Sequence, residues 1–165
     1  MKRTKSLFSL LLCLMMLAFA AFGTAETMDG TSVERDVRTE YVAVSPDETM
    51  KMVIPLTGTK EAPVELGEGA VSFLFQVVDL DQNEYWFLIH TDREFVGDAL
   101  LDNLLVAGTV SEEWGLMVES VLGEEIIYST DNPHYWSLFV NDEYAQLGVS
   151  ATPIEADTVY AFKAL

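Results

Sequence analysis

Between Ala70 and Leu165 the chain alternates apolar and polar positions in short runs, each closed by Gly, Pro, Asn or Asp. Val71, Phe73, Phe75 and Val77 take every second position of the first run, and Tyr85 to Ile89 forms the next. The turn-like Asp79-Leu80-Asp81-Gln82-Asn83 between them predicts a hairpin. At Val96 the period changes. Val96, Leu100, Leu101, Leu104 and Leu105 fall on one helical face, with Asp98 and Asp102 opposite and Gly108 as a stop signal. A helix is therefore expected over 96–108, with Thr91-Asp92-Arg93-Glu94 at capping-box spacing ahead of it. Gly97 lies on its buried face, where a missing side chain lets the helix come close to a sheet. Gly115 to Leu122, Glu125 to Tyr128, His134 to Val140, Tyr144 to Val149 and Thr158 to Phe162 then read as strands. Hairpin, helix and several strands is the plan of an α+β fold, a β-grasp-like mixed sheet with one packed helix.

Upstream of that domain, Thr39 to Val44 and Met50 to Leu56 are β-like runs around the turn signal Ser45-Pro46-Asp47. Residues 57–69 hold three Gly and one Pro and read as a loop. The expected organisation is a signal peptide over 1–25, a short β-containing N-terminal extension and linker over 26–69, and the β-grasp-like domain over 70–165. The signal is legible in Lys2-Arg3-Thr4-Lys5, an uncharged stretch from Ser6 to Phe22, and small residues at Gly23 and Ala25, the −3 and −1 places for cleavage before Glu26. Ala18-Phe19-Ala20 is a second cleavage candidate, and an uncleaved segment would be the chain's only hold on a membrane. The one cysteine, Cys13, falls inside this segment and follows Leu12 rather than the small residue of a lipoprotein signal. The mature chain is thus expected to be free of disulfides, thiolate metal ligands and thiol nucleophiles.

Charge narrows the partners. The chain has 9 Lys+Arg against 27 Asp+Glu, a net charge of −18, and Lys2, Arg3 and Lys5 all precede the first acid, Glu26. Residues 26–165 therefore carry six basic against 27 acidic side chains, a net −21. That excludes nucleic-acid binding through phosphate neutralisation and disfavours anionic lipid. A disordered acidic chain is excluded in turn, because half the residues are hydrophobic and 11% aromatic.

Catalytic chemistry finds little support. His90 and His134 are the only histidines, each at the end of a β run, with no arrangement of nucleophile and orienting acid around either. Asp79, Asp81 and Asn83 alternate as calcium ligands do, but the loop lacks the glycine at its sixth place and has His90 where the twelfth-place acid belongs. A solvated hairpin turn accounts for them. The aromatics are more informative. Tyr85-Trp86 and Tyr135-Trp136 are adjacent on strands, so the members of each pair point to opposite faces and one of each leaves the core face. Exposed strand aromatics rimmed by acids suit a ligand or a partner.

Several stretches also carry a resemblance. They are Val77-Val78-Asp79, Thr91-Asp92, Val96-Gly97-Asp98-Ala99-Leu100-Leu101, Trp114-Gly115-Leu116-Met117-Val118, Tyr135-Trp136-Ser137-Leu138-Phe139-Val140-Asn141, Glu143-Tyr144-Ala145 and Gly148-Val149. In this order and at these intervals the chain resembles bacterial secreted domains of unknown function related to the C-terminal β-domain of transcobalamin and intrinsic factor. The resemblance covers about residues 70–165. It implies a β-grasp-like fold and, at a distance, a surface that faces a corrinoid or another flat ligand. The chain departs from the family pattern at Asn141-Asp142, where Asn-Gly is common, at Ala156-Asp157 in place of Gly-Asp, and at Phe95 in place of Thr.

The expected function is an exported, non-enzymatic binding or interaction module of the cell envelope, with Trp114, Tyr135, Trp136, Asn141 and Tyr144 around an apolar groove. Its partner is a small ligand or an envelope protein. No catalytic residue, metal ligand or resident cofactor is expected, and a cobalamin-type ligand enters through the resemblance alone. The alternative is a structural or adhesive surface domain without a small-molecule ligand.

Overall fold

A computed structural model describes residues 37–165, and the expected signal peptide and its cleavage site lie outside them. In chain order the first strands are β1 (Glu40–Val44), β2 (Lys51–Pro55), β3 (Val64–Gly67), β4 (Val71–Val78) and β5 (Glu84–Thr91). The helix α1 (Val96–Asp102) comes next, then β6 (Val106–Ser111), β7 (Gly115–Val121), β8 (Glu124–Glu125), β9 (Trp136–Val140) and β10 (Glu143–Tyr144). A 3-10 turn over Val149–Ala151 leads to β11 (Val159–Ala164). These strands make a hairpin β1-β2, a three-stranded sheet β6-β7-β8 and a six-stranded sheet in the order β10-β9-β11-β4-β5-β3. The large sheet is mixed, because β11 runs parallel to β4 and β3 parallel to β5 while the other neighbours are antiparallel. The class is α+β, with one α-helix among the described residues.

The period-two pattern builds this core. Phe73, Phe75 and Val77 on β4 stand opposite Ile89, Phe87 and Tyr85 on β5, and all six are buried. Tyr160, Phe162 and Ala164 on β11 and Trp136 and Leu138 on β9 continue the same apolar face. Phe75 sits at its centre, 6.2 Å from the Phe87 ring and 6.3 Å from Phe162, while Phe73 meets Tyr160 edge-on at 5.2 Å. The Tyr160 hydroxyl donates to the Pro153 carbonyl at 2.8 Å and accepts from the Glu155 N–H at 2.9 Å, so its polar end is satisfied. Val96, Ala99 and Leu100 of the helix pack into this core, and Ala43, Ile54 and Leu56 of the first hairpin join it.

The helix is half the length that its apolar period predicts. The Leu104 N–H bonds to Leu101 O and the Leu105 N–H to Leu100 O, the bond pair of a Schellman ending, with Leu104 in the left-handed region at φ 55°. Glycine or asparagine normally marks that place, so a leucine there concealed the stop, and Leu105 and Val106 enter the core from a strand instead. The capping box does not form: the Thr91 hydroxyl accepts the Arg93 N–H, and Phe95 occupies the N-cap without a side-chain bond. Strand β3 was also hidden, as a run of only four residues between Pro63 and Gly69 that gains its order from β5. The six-stranded sheet thus begins at Val64, ahead of the expected boundary at Ala70.

Gly97 allows a close approach, though to the 3-10 turn rather than to the sheet. A Cβ there would lie 3.1 Å from the Val149 carbonyl oxygen and 3.3 Å from the Ser150 Cα. The obstacle is backbone beside a buried valine, so overpacking outweighs the roughly 1 kcal/mol of helix propensity that alanine adds. Gly97→Ala is expected to lower stability by about 1 kcal/mol, read as a lower urea midpoint.

Candidate binding site at the β9–β10 hairpin

Strands β9 and β10 are joined by Asn141-Asp142, with φ of 50° and 66°. Both central residues are therefore left-handed, as a tight hairpin turn matched to strand twist requires, and Asn and Asp tolerate this where most residues do not. Asn141 ties the turn to the last strand: its N–H donates to Val159 O at 2.8 Å, and its Oδ1 accepts the Val159 N–H at 3.0 Å. Asp142 accepts from Lys163 Nζ at 2.9 Å, and that bond, with the lysine's charge, holds its carboxyl below the usual range. The same ammonium lies 4.8 Å from the Phe139 ring centre.

Tyr144 is the pivot of the site. It pairs with Phe139 in register, and the two rings lie 4.4 Å apart at 37°. Desolvation first, and the nearby Tyr135 phenol second, push the Tyr144 phenol above its ordinary value. One ring face is thus fixed while the residue remains 56% exposed. Beyond it the chain turns away: the Ala145 N–H bonds to Leu138 O, and the Thr152 hydroxyl donates to Gly148 O at 3.0 Å.

The segment 144–147 forms a wall between two open concavities. One, of about 510 Å³, is lined by Asn141, Glu143, Tyr144, Gln146, Leu147 and Thr152, among others. The other, of about 370 Å³, opens towards Met117 and Val118 of β7 and Trp136 and Leu138 of β9, again with Tyr144 on its rim. Such a cleft exists because the flanking strands are short: β10 covers only Phe139 and Val140 of β9, and β8 only Ser120 and Val121 of β7.

Of the five residues expected at the groove, Asn141 and Tyr144 line one concavity, and Trp136 and Tyr144 line the other. Tyr135, 42% exposed, supports Tyr144 from the side, whereas Trp136 is only 7% exposed and donates its Nε1–H to Glu124 O at 3.1 Å. Trp114 lines neither; it is 75% exposed in the β6–β7 turn, where its N–H bonds to Ser111 Oγ. Sequence reasoning missed Glu143, Gln146 and Thr152. The expected strand over 144–149 hid Gln146, because a continuing ladder was expected where the chain instead bends into a wall, and nothing local marks Glu143 or Thr152. Trp86 did not emerge as the exposed member of its pair, since Lys60 Nζ lies 5.4 Å over its ring and Glu84 accepts its Nε1–H.

The histidines are occupied elsewhere. His90 Nε2 lies 3.5 Å from a Glu65 oxygen, and His134 Nδ1 is 2.9 Å from Leu165 O. In the hairpin turn, Asp79 is buried and accepts from the Asn83 N–H and Nδ2 at 2.8 Å each and from the Tyr85 hydroxyl at 3.2 Å, so it braces the turn.

No family model matches the chain, and no curated protein matches it. Among solved structures it is similar to a "putative metal binding protein" from Ruminococcus gnavus ATCC 29149, at 22% identity and a TM-score of 0.54, over 58% of this chain and 97% of that one. It is also similar to haptocorrin in complex with Cbi, at 14% identity and a TM-score of 0.45, over 61% of this chain but only 26% of haptocorrin's length. The first likeness is one of fold, and the second is a distant structural resemblance.

Proposed function

We propose that this protein is an exported, non-enzymatic binding module that seats a small ligand against Tyr144. The observation that carries this reading is the position of that ring, backed by Phe139 yet exposed on the rim of two concavities. A non-enzymatic role is supported by the histidine partners, a carboxylate for His90 and a carbonyl for His134, with no Ser, Thr or Cys bonded to either ring among the described residues. Export is supported by the basic, apolar and small-residue pattern of residues 2–25 and by the acidity of residues 26–165. A β-grasp reading of the fold is supported by its order, hairpin then helix then a last strand parallel to the first of the hairpin.

The metal binding named for the Ruminococcus gnavus protein is said of that protein and is not carried into this proposal. Among the described residues no three His, Cys, Asp or Glu side chains are grouped to hold an ion. A flat ligand such as a corrinoid is the finer form of the proposal, and it rests on the sequence resemblance. The test is a titration of intrinsic fluorescence with cobinamide, cobalamin and short peptides. A saturable change that weakens at least about tenfold in Tyr144→Ala is expected, a loss of about 1.4 kcal/mol. No response to any of these, or one that Tyr144→Ala leaves unchanged, overturns the reading.

A second reading, attachment to an envelope protein, is favoured by the first hairpin. Val42 and Val53 pair across its outer face and are both exposed, with Val44 and Met50 exposed beside them.

A further inference from the structure

The larger concavity has a chemistry that narrows the ligand class, and this step rests on the reading of Tyr144 as the ligand platform. We propose that the 510 Å³ concavity binds a neutral saccharide, one ring seated on Tyr144 and its hydroxyls on Gln146, Glu143 and Asn141.

The platform comes first. Tyr144 is held from behind by Phe139 at 4.4 Å and paired with it across the hairpin, so the ring loses little freedom when something stacks on its open side. An aromatic face attracts the weakly positive C–H face of a pyranose for the same reason that it attracts the edge of another ring. A phosphate has no such face.

The polar groups come second. Glu143 and Gln146 are exposed, and their side chains make no hydrogen bond to another described residue. Asn141 commits its Oδ1 to the Val159 N–H, which leaves its Nδ2 as a donor at the turn. An amide that donates and accepts, a carboxylate that accepts, and a second amide that donates together match the mixed character of sugar hydroxyls, which do both.

Charge weighs against an anion, and the amide donors of Gln146 and Asn141 favour a neutral ligand over a cation. The ionised group in this lining is the Glu143 carboxylate, no lysine or arginine contributes to it, and residues 26–165 carry a net −21. An anionic ligand meets repulsion with no cation to receive it. The two lysines on the neighbouring sheet face are engaged, Lys163 with Asp142 and the Phe139 ring and Lys60 over Trp86. A cation finds one solvated carboxylate, worth little in water. A neutral ring with a hydroxylated edge meets neither obstacle.

The experiment is a two-dimensional NMR titration of the intact protein with glucose, galactose, N-acetylglucosamine and cellotriose. Cobinamide and a blocked trialanine peptide form the comparison arms. Saturable shifts confined to 140–152 on adding a saccharide are expected. Tyr144→Ala is expected to weaken binding at least about tenfold, Gln146→Leu about three- to tenfold as one hydrogen bond is lost, and Tyr144→Phe to retain it within about threefold. Tyr144→Phe keeps the ring, and Gln146 is exposed, so these two variants keep the test valid if Tyr144→Ala disturbs the hairpin. Shifts at Tyr144 from cobinamide or the peptide, with every saccharide silent, overturn the saccharide assignment and leave the binding-module reading standing. Silence in all arms overturns both. Saccharide shifts elsewhere on the molecule, or binding indifferent to Tyr144→Ala and Gln146→Leu, overturn the placement.

Discussion

Phe75→Ala lowers the stability of the fold by about 3–5 kcal/mol, the largest effect expected of any single truncation in this chain. The ring is fully buried and bridges two strands, stacking against Phe87 on β5 and meeting Phe162 on β11 edge-on. It therefore stands where the antiparallel hairpin joins the parallel last strand. Transfer of the lost ring atoms and the residual cavity contribute in the same direction. Urea denaturation followed by far-UV circular dichroism measures the loss, with the slope of the transition unchanged. A shift below about 1 kcal/mol would show that the sheet is not packed around this ring.

Asp79→Ala is expected to cost about 2–4 kcal/mol, through polar groups rather than volume. Its carboxylate accepts from the Asn83 N–H, the Asn83 side-chain amide and the Tyr85 hydroxyl, and truncation leaves these donors without that acceptor. One effect opposes the loss. Glu124 is held above the usual carboxylate range by burial first and by the Asp79 charge second, so removing that charge relieves it in part. The lost bonds outweigh this relief because Asp79 and Tyr85 are both buried. The urea midpoint of the variant, compared with that of the parent protein, measures the difference.

The same cluster sets an alkaline signature. Burial first, then the Asp79 charge and its hydrogen bond, push the Tyr85 phenol up to about 12 from an ordinary 10. The folded state therefore holds this proton more tightly than the unfolded chain. Its contribution to stability is complete below pH 10 and is lost as pH rises through about 12. Absorbance in the tyrosinate band should show a late step from Tyr85, absent in Tyr85→Phe, together with alkaline unfolding. In Asp79→Ala that step moves down, though not fully to the ordinary value, since desolvation is the leading cause. A Tyr85 step, identified by its loss in Tyr85→Phe, that Asp79→Ala leaves in place would separate Tyr85 from this carboxylate.

How much of this was legible depends on where the information resides. Alternation at Val71, Phe73, Phe75 and Val77 specified both the strand and its buried face, because a period of two leaves one solution once a core exists. The Asp79–Asn83 turn and the first hairpin, observed at Glu40–Val44 and Lys51–Pro55, were visible for a similar local reason. The helix start at Val96 was visible and its end was not. The Schellman ending places Leu104, a residue with no intrinsic liking for left-handed backbone, where tertiary burial of Leu105 and Val106 compensates the strain. Strand β3 is too short to declare itself and exists because β5 offers an unpaired edge.

At the candidate site the division is sharper. The resemblance brought in Asn141, and Tyr144 stood out only as one of several strand aromatics. Which concavity they line, and that Gln146 and Glu143 stand beside them with free polar ends, depended on where β8 and β10 stop. Strand length at an edge is set by the neighbours available to pair with it, not by local preference. The sequence by itself determined an acidic α+β chain with its hydrophobic face assigned. The tertiary structure alone decided that Trp136 packs inward, that Trp114 stands apart, and that Tyr144 becomes the exposed ring on a rigid support.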